Sequence, residues 1–295
     1  MKLIYYTATQ NFGDGLNPML FPSLLPGLFD EDETEVFYGI GSILQFDYRQ
    51  AKKKHVFSTG FAYGKLPEID DTFDIYAVRG PLTAKRIGVD PALGIGDGAL
   101  LLRTQTFEQS PKQYPISYIP HHQSEELFDW EALCKEVGYH YISPCNTPEF
   151  VISEILSSEL VLTEAMHGAI LADTLRVPWV PVVTSPHINQ FKWEDWSLTI
   201  GLDHAPHFIT PLLNRASIFT RIENRIPVLG KTLSQVLTPV YQAYQQGTAY
   251  KKAVKEFANL RQARPRLSET VRLDTQVAKL MDQLDLFKKN LRIPQ

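Results

Sequence analysis

Cysteine is scarce. The 295-residue chain has two, Cys134 and Cys145. Two thiols allow one disulfide at most, which excludes a disulfide-framed secreted scaffold. Cys134 stands in a helix-like stretch and reads as a small buried apolar residue. No Cys/His cluster has zinc-site spacing, so neither a metal nor another cofactor is expected. Long apolar runs are missing as well. No window approaches about 18 uninterrupted apolar residues, which excludes a membrane-spanning helix. The opening Met1-Lys2-Leu3-Ile4-Tyr5-Tyr6 has too short an apolar run for a signal peptide, so the expected location is the cytoplasm. Positive charge is not in excess. Twenty-nine Lys and Arg face 33 Asp and Glu, for a formal net charge of −4, which excludes a globally basic nucleic-acid binder. Internal repeats and low-complexity segments are absent. What is present is 44% hydrophobic and 11% aromatic residues, a composition of folded rather than disordered chains. At roughly 150 residues per domain, the length suggests about two domains.

The first half alternates short apolar runs with turn residues. Leu3–Tyr6, Glu35–Tyr38, His55–Ser58 and Asp74–Val78 read as strands. A helix is expected from about Leu16 to Leu25 with Pro18 in its first turn, and another from Pro81 to about Ile87. Strands separated by helices imply βαβ units and a mostly parallel sheet. Residues 105–115 are polar with two prolines and read as an interdomain linker. The rhythm then restarts. Strands are expected at Ile116–Ile119, Tyr139–Ile142, Leu160–Thr163 and Trp179–Val183. Helices are expected from Ser124, as cap, to Val137, then over Pro148–Leu156 and His167–Leu175. The reading is therefore α/β, with two successive domains, 1–110 and 111–230, and a helical extension, 231–295. In that extension Val277, Leu280, Met281, Leu284, Phe287 and Leu291 follow helical spacing. Lys251, Lys252, Lys255, Arg261, Arg264, Arg266 and Arg272 make it basic. That patch is either a solvated face or a surface for an anionic membrane.

In open parallel sheets ligands bind beyond the carboxyl ends of the strands. Asn11-Phe12-Gly13-Asp14 follows the first strand. It is neither a Walker loop nor the GxGxxG fingerprint; Asp14 reads either as a ligand contact or as the cap of the next helix. Arg79 ends the fourth strand, where a guanidinium suits a carboxylate or phosphate, or a structural salt bridge. Asp97, in Gly96-Asp97-Gly98, reads as a cap or a brace. His121 and His122 suit proton transfer or anion contact near neutrality. His167 falls at the positive end of a helix, beside Gly168, and Glu164 is placed to orient its imidazole. Lys192-Trp193-Glu194-Asp195-Trp196 offers a cation and two rings that either stack on sugars or fill the core.

These motifs, taken in order, carry a resemblance. Asn11-Phe12-Gly13-Asp14, Gly39-Ile40-Gly41-Ser42, Arg79-Gly80-Pro81-Leu82-Thr83 with Gly88, Gly96-Asp97, Pro120-His121-His122 and Glu164-Ala165-Met166-His167-Gly168 resemble the polysaccharide pyruvyl transferase family. Ala172–Val180 and Lys192–Trp196 look closest to the branch that forms pyruvyl ketals on bacterial exopolysaccharides such as succinoglycan. The resemblance covers roughly residues 1–202. One departure stands out. Many members carry Ser-x-Arg before the His-Gly pair, whereas this chain has Thr163-Glu164-Ala165, so Arg79 or Lys192 would have to replace that arginine.

The resemblance implies a GT-B-like fold, with two Rossmann-like domains facing a cleft, acceptor on the N-terminal side and donor on the C-terminal side. It implies phosphoenolpyruvate as donor and an oligosaccharide or lipid-linked saccharide as acceptor; the basic tail, outside the resemblance, suggests peripheral contact at the inner face of the plasma membrane. The implied catalytic residues are His167, His121, His122 and Glu164. The implied substrate contacts are Arg79, Asn11, Asp14, Ser42, Gly168, Lys192 and Trp196. Two competing readings are a glycosyltransferase using a nucleotide sugar and a non-catalytic carbohydrate-binding protein.

Overall fold

The computed structural model describes residues 1–108, 111–212 and 245–292. Its N-terminal part is a four-stranded parallel sheet in the order β1 (Lys2–Ile4), β2 (Glu35–Tyr38), β3 (Lys53–Phe57), β4 (Phe73–Ala77). Register runs through Leu3 opposite Phe37 and Phe37 opposite His55. Val36, Phe37 and Tyr38 are all buried, as expected for a parallel strand covered on both faces.

The regular strand–helix alternation expected here holds only in part. α1 (Phe12–Leu24) joins β1 to β2, and α2 (Pro81–Ile87) follows β4. Residues 39–52 and 58–72, between β2, β3 and β4, form loops. α1 also starts earlier than the apolar pattern suggests. Asn11, not Asp14, is its cap, accepting from the Asp14 amide at 2.9 Å. Pro18 and Pro22 therefore lie inside the helix, not in its first turn. Pro18 brings no amide hydrogen for the Asp14 carbonyl. The Asn17 side-chain amide takes that place, donating to it at 3.0 Å.

The second sheet is also parallel and runs in the order β6 (His140–Tyr141), β5 (Ser117–Ile119), β7 (Val161–Thr163), β8 (Trp179–Val183), β9 (His207–Phe208). Chain direction across the sheet reverses between β5 and β7, the switch point where such folds open a crevice. The single helix expected from Ser124 is two. α3 (His122–Glu125) contains Ser124, and α4 (Trp130–Val137) is capped by Asp129, which accepts from Ala132. α5 (Pro148–Leu156) has Thr147 as cap and proline at its first position. α6 (Met166–Thr174) follows β7, and α7 (Gln190–Ile200) follows β8.

One continuous core joins both sheets and the C-terminal segment. α8 (Tyr250–Asn259) is followed by α9 (Thr270–Asn290), which buries Leu273, Val277, Leu280, Leu284 and Phe287 on one face. Phe287 meets Phe37 and Tyr76 edge-on, each at 5.2 Å between ring centroids. The amphipathic helix read from the sequence is thus a packed element. Three of the tail arginines hold backbone carbonyls. Arg272 reaches Thr199 and Leu198 at the end of α7, Arg261 reaches Val137 at the end of α4, and Arg266 reaches Asp203 and Ala205. Cations at helix C-termini satisfy orphan carbonyls and oppose the helix dipole. Lys252 pairs with Glu256 at 3.6 Å, and Lys251, Lys255 and Arg264 are exposed. Cys134 is buried, and burial pushes its thiol up to about 12. Among the described residues no helix is long and apolar enough to cross a membrane.

Candidate functional site

The carboxyl ends of both sheets open into one cavity of about 340 Å³. Loops after β1 to β3 supply Tyr6, Asn11, Ser42, Gln45, Phe46 and Tyr63, and the first turn of α1 supplies Gly13 and Asp14. The second sheet supplies His121 and His122 after β5, Pro144 after β6, and Ala165, Met166 and His167 after β7; α7 supplies Lys192. Backbone stitches the halves together, with the Phe12 amide donating to the Pro144 carbonyl at 2.9 Å. Asn17 pins α1 to the loop after β2: its amide group exchanges two hydrogen bonds with the Ile40 backbone, at 2.7 and 3.0 Å.

Of the residues singled out from the sequence, Asn11, Asp14, Ser42, His121, His122, His167 and Lys192 come together here. Arg79, Glu164, Gly168 and Trp196 do not line the cavity. Arg79 is fully buried behind the wall. It pairs with Asp195 at 3.3 Å and donates to Ser42 Oγ at 2.7 Å and to the Phe61 carbonyl at 2.9 Å. It is thus the structural salt bridge weighed above, not a direct anion contact. Trp196 packs in the core against Trp179 at 5.5 Å and Trp193 at 6.4 Å. Gly168 lets α6 lie against Thr163, since a Cβ there would overlap the threonine hydroxyl.

Glu164 does not orient His167. Its buried carboxylate accepts from the Thr184 amide at 2.6 Å, the Thr184 hydroxyl at 2.7 Å and the His121 amide at 3.3 Å. Burial raises its pKa. It therefore ties the ends of β5, β7 and β8 together. The carboxylate facing His167 is Asp97, with Oδ2 at 3.6 Å from the imidazole Nε2. Asp97 Oδ1 caps the following turn through Ala99. Neither Asp97 Oδ2 nor His167 Nε2 has a hydrogen-bond partner among the described residues.

His167 leans on Gly13. A Cβ at Gly13 would overlap His167 Nδ1. Alanine in a helix ordinarily stabilises by about 1 kcal/mol over glycine. Here Gly13→Ala should instead displace the imidazole and lower turnover at least about tenfold. Thermal melts of Gly13→Ala and of Gly13→Ala with His167→Ala check this. The double variant should be the more stable, because it removes the overlap.

Burial sets the charge state of the other imidazoles. Burial, then Lys192 and the neighbouring histidines, hold His121 well below its ordinary pKa. Burial and Lys192 hold His122 at about 4. Their rings lie 4.2 Å apart, and His187 stands 5.2 Å from His121. Burial and Lys192 thus favour the neutral form of both rings, which suits them as hydrogen-bond donors rather than as cations. Lys192 supplies the positive charge, with its ammonium 5.1 Å from the Tyr63 ring centroid. Burial raises the pKa of Asp14, opposed by His167 and Asn11. Among the described residues no group of three or more His, Cys, Asp or Glu is arranged to hold a metal.

Two parallel α/β sheets meeting at a cleft that gathers a lysine and three imidazoles define an α/β protein with its candidate site between the sheets. The polysaccharide pyruvyl transferase family model matches residues 35–186. Over 218 residues the chain is 43% identical to the succinoglycan biosynthesis protein ExoV of Rhizobium meliloti (strain 1021), a match covering 72% of this chain and 69% of that protein. The chain belongs to the polysaccharide pyruvyl transferase family and is a transferase. No solved structure matches it.

The sequence reading passed over Asn17, Tyr6, Gln45, Phe46 and Tyr63, and it gave Asp195 no partner. Their signal was weak. Asn17 reads as an ordinary polar helix residue, and Gln45 and Tyr63 stand in loops without a motif. Only position after a parallel strand marks the loop residues Tyr6, Gln45, Phe46 and Tyr63.

Proposed function

We propose that this transferase moves the pyruvyl group of phosphoenolpyruvate onto a sugar of a bacterial surface polysaccharide or its precursor, forming a cyclic ketal. The observation that carries the reading is Lys192 standing with His121, His122 and His167 at the mouth of β5 and β7, in a chain of this family. The donor is an oxyanion-rich molecule, so it needs positive charge and proton donors. The two sheets act as two Rossmann-like units of a GT-B-like enzyme, with the acceptor on the N-terminal side. The name of the ExoV relative makes an exopolysaccharide the first acceptor class to test.

Each residue has a stated task. An imidazolium protonates C3 of the donor, leaving positive charge at C2. One sugar hydroxyl adds to C2 and gives up its proton. Phosphate leaves with the C2–O bond electrons, and a second hydroxyl of the same sugar closes the ring and gives up its proton. One proton enters at C3 and two leave the hydroxyls, one of them passing to the departing phosphate. His167 exchanges the proton at C3, with Asp97 facing its inner nitrogen. Lys192 and the rings of His121 and His122 hold phosphate and carboxylate. Arg79 acts through Ser42. This sequence of steps uses acid, base and charge only, so the reading includes no cofactor.

Calorimetry with phosphoenolpyruvate tests the donor. Burial and Lys192 lower the pKa values of His121 and His122. A multiply charged anion beside them raises their pKa, so the complex holds more protons than its separated partners. Proton uptake on binding means affinity falls as pH rises, by up to about tenfold per unit for one proton. Uptake is confined to the range between the free value of His122, about 4, and its raised value in the complex, so titrations from pH 5 to 8, in two buffers of different ionisation heat, should show both effects. Saturable binding of a nucleotide sugar with no response to phosphoenolpyruvate would move the protein to glycosyl transfer.

A further inference from the structure

The cavity has two unlike walls. The second sheet and α7 contribute imidazoles and a lysine. The loops after β1, β2 and β3 contribute rings and an amide: Tyr6, Gln45, Phe46 and Tyr63. Tyr6 and Phe46 stand 6.5 Å apart with their planes tilted by 37°. Tyr63 is 44% exposed, unlike the tryptophans, all of which are buried. Gly64, at φ +70°, follows Tyr63 and packs on Gln45, a Cβ there sitting 3.3 Å from the Gln45 side chain, and Tyr63 and Gln45 line the same cavity. The Gln45 amide oxygen is buried and has no hydrogen-bond partner among the described residues. A buried acceptor left unpaired costs about 1–3 kcal/mol, and a donor brought by a ligand relieves that cost. An exposed ring beside an unpaired acceptor matches one ligand chemistry well. A pyranose has an apolar C–H face, which stacks on an aromatic ring, and hydroxyls, which donate to an amide oxygen.

We infer that Tyr63, Gln45, Tyr6 and Phe46 form the acceptor-sugar subsite, with Tyr63 as the stacking platform and Gln45 Oε1 receiving a sugar hydroxyl. This rests on the pyruvyl-transfer reading and assigns its acceptor half to a defined wall. The pair Trp193 and Trp196, which the sequence offered for sugar stacking, is buried and takes no part. Lys192 lies on the boundary, facing the Tyr63 ring, which places the donor phosphate side next to the sugar platform.

Saturation-transfer NMR with methyl α- and β-glucosides and galactosides reads sugar binding directly, without turnover. Wild type should transfer saturation to at least one of them. Tyr63→Ala and Gln45→Ala should each weaken binding at least about fivefold, and Tyr63→Phe should retain it. Phosphoenolpyruvate affinity, measured by calorimetry on the same variants, should change less than threefold. Tyr63 is exposed, so its removal leaves the fold intact; matched thermal melts check this. Sugar binding by both alanine variants equal to wild type overturns the subsite. So does the absence of saturation transfer from every glycoside to wild type. Glycoside binding that depends on Tyr63, in a protein that ignores phosphoenolpyruvate, supports the subsite and overturns the donor assignment instead.

Discussion

His167→Ala should lower turnover by about 10²–10⁴-fold, the usual range for a positioned acid or base. Phosphoenolpyruvate should still bind, because Lys192, His121 and His122 remain. The argument is geometric. His167 sits in the first turn of α6, its inner nitrogen 3.6 Å from Asp97 Oδ2, with Gly13 shaped to admit its ring. A buried carboxylate at this distance favours the protonated ring electrostatically and leaves the nitrogen on the far side for chemistry. His121 and His122 are weaker candidates for the acid, since burial and Lys192 oppose their protonation. Release of phosphate from phosphoenolpyruvate, in the presence of a succinoglycan-type oligosaccharide, is the readout. Asp97→Asn keeps an oxygen to cap Ala99, so it should fold, yet lose turnover by a smaller factor than His167→Ala. Near-normal phosphate release by His167→Ala would remove His167 from the chemistry and send the search to the other imidazoles.

Strands β5 to β8 and helices α5 and α6 of the second half were legible because they are local, whereas α7 and β9 were not foreseen. Pro148 at a helix start and the all-apolar strand Trp179–Val183 each declare themselves over a few residues. The cavity-lining histidines were legible for a different reason: parallel strands aim their trailing loops at one place. What failed was partnership. Arg79 at a strand end looks identical whether it meets a ligand or Asp195, 116 positions later. Glu164 stands three residues before His167, yet its bonds go to Thr184 and His121. Spacing along the chain does not encode which carboxylate reaches which base across two sheets. The loops between β2, β3 and β4 misled because helix-sized gaps were filled by helices in expectation only. The expectations for residues 109–110 of the linker, 213–230 of the second domain and 231–244 of the helical extension lie outside the described residues.

Asp195→Ala should cost about 3–5 kcal/mol of stability, the range for removing one partner of a buried ion pair. Asp195 and Arg79 are both fully buried, on α7 and at the end of β4. Besides the guanidinium, Asp195 accepts from the Leu82 amide at 2.9 Å, the Thr83 amide at 3.0 Å and the Thr83 hydroxyl. It therefore caps α2 across the interface: Gly80, the residue before that helix, has no side chain to do so, and a Cβ there would overlap Asp195. Alanine leaves a charged guanidinium and three donors without acceptors in the core. At roughly 2–4 °C per kcal/mol, the melting temperature should fall by about 6–20 °C. Arg79→Ala should cost less than Asp195→Ala, because the carboxylate keeps its three other donors. A double-mutant cycle should then show coupling, with the pair of changes destabilising less than their sum. A drop of under about 1 kcal/mol in Asp195→Ala would show that the pair is not the clamp. The same cycle separates structure from binding. Arg79 touches the cavity only through Ser42 Oγ, so Arg79→Ala should lose stability before any ligand is added. If Arg79→Ala instead melted like wild type and lost only phosphoenolpyruvate affinity, the arginine would be a ligand contact after all. Loop movement at Ser42 would then be needed to expose it.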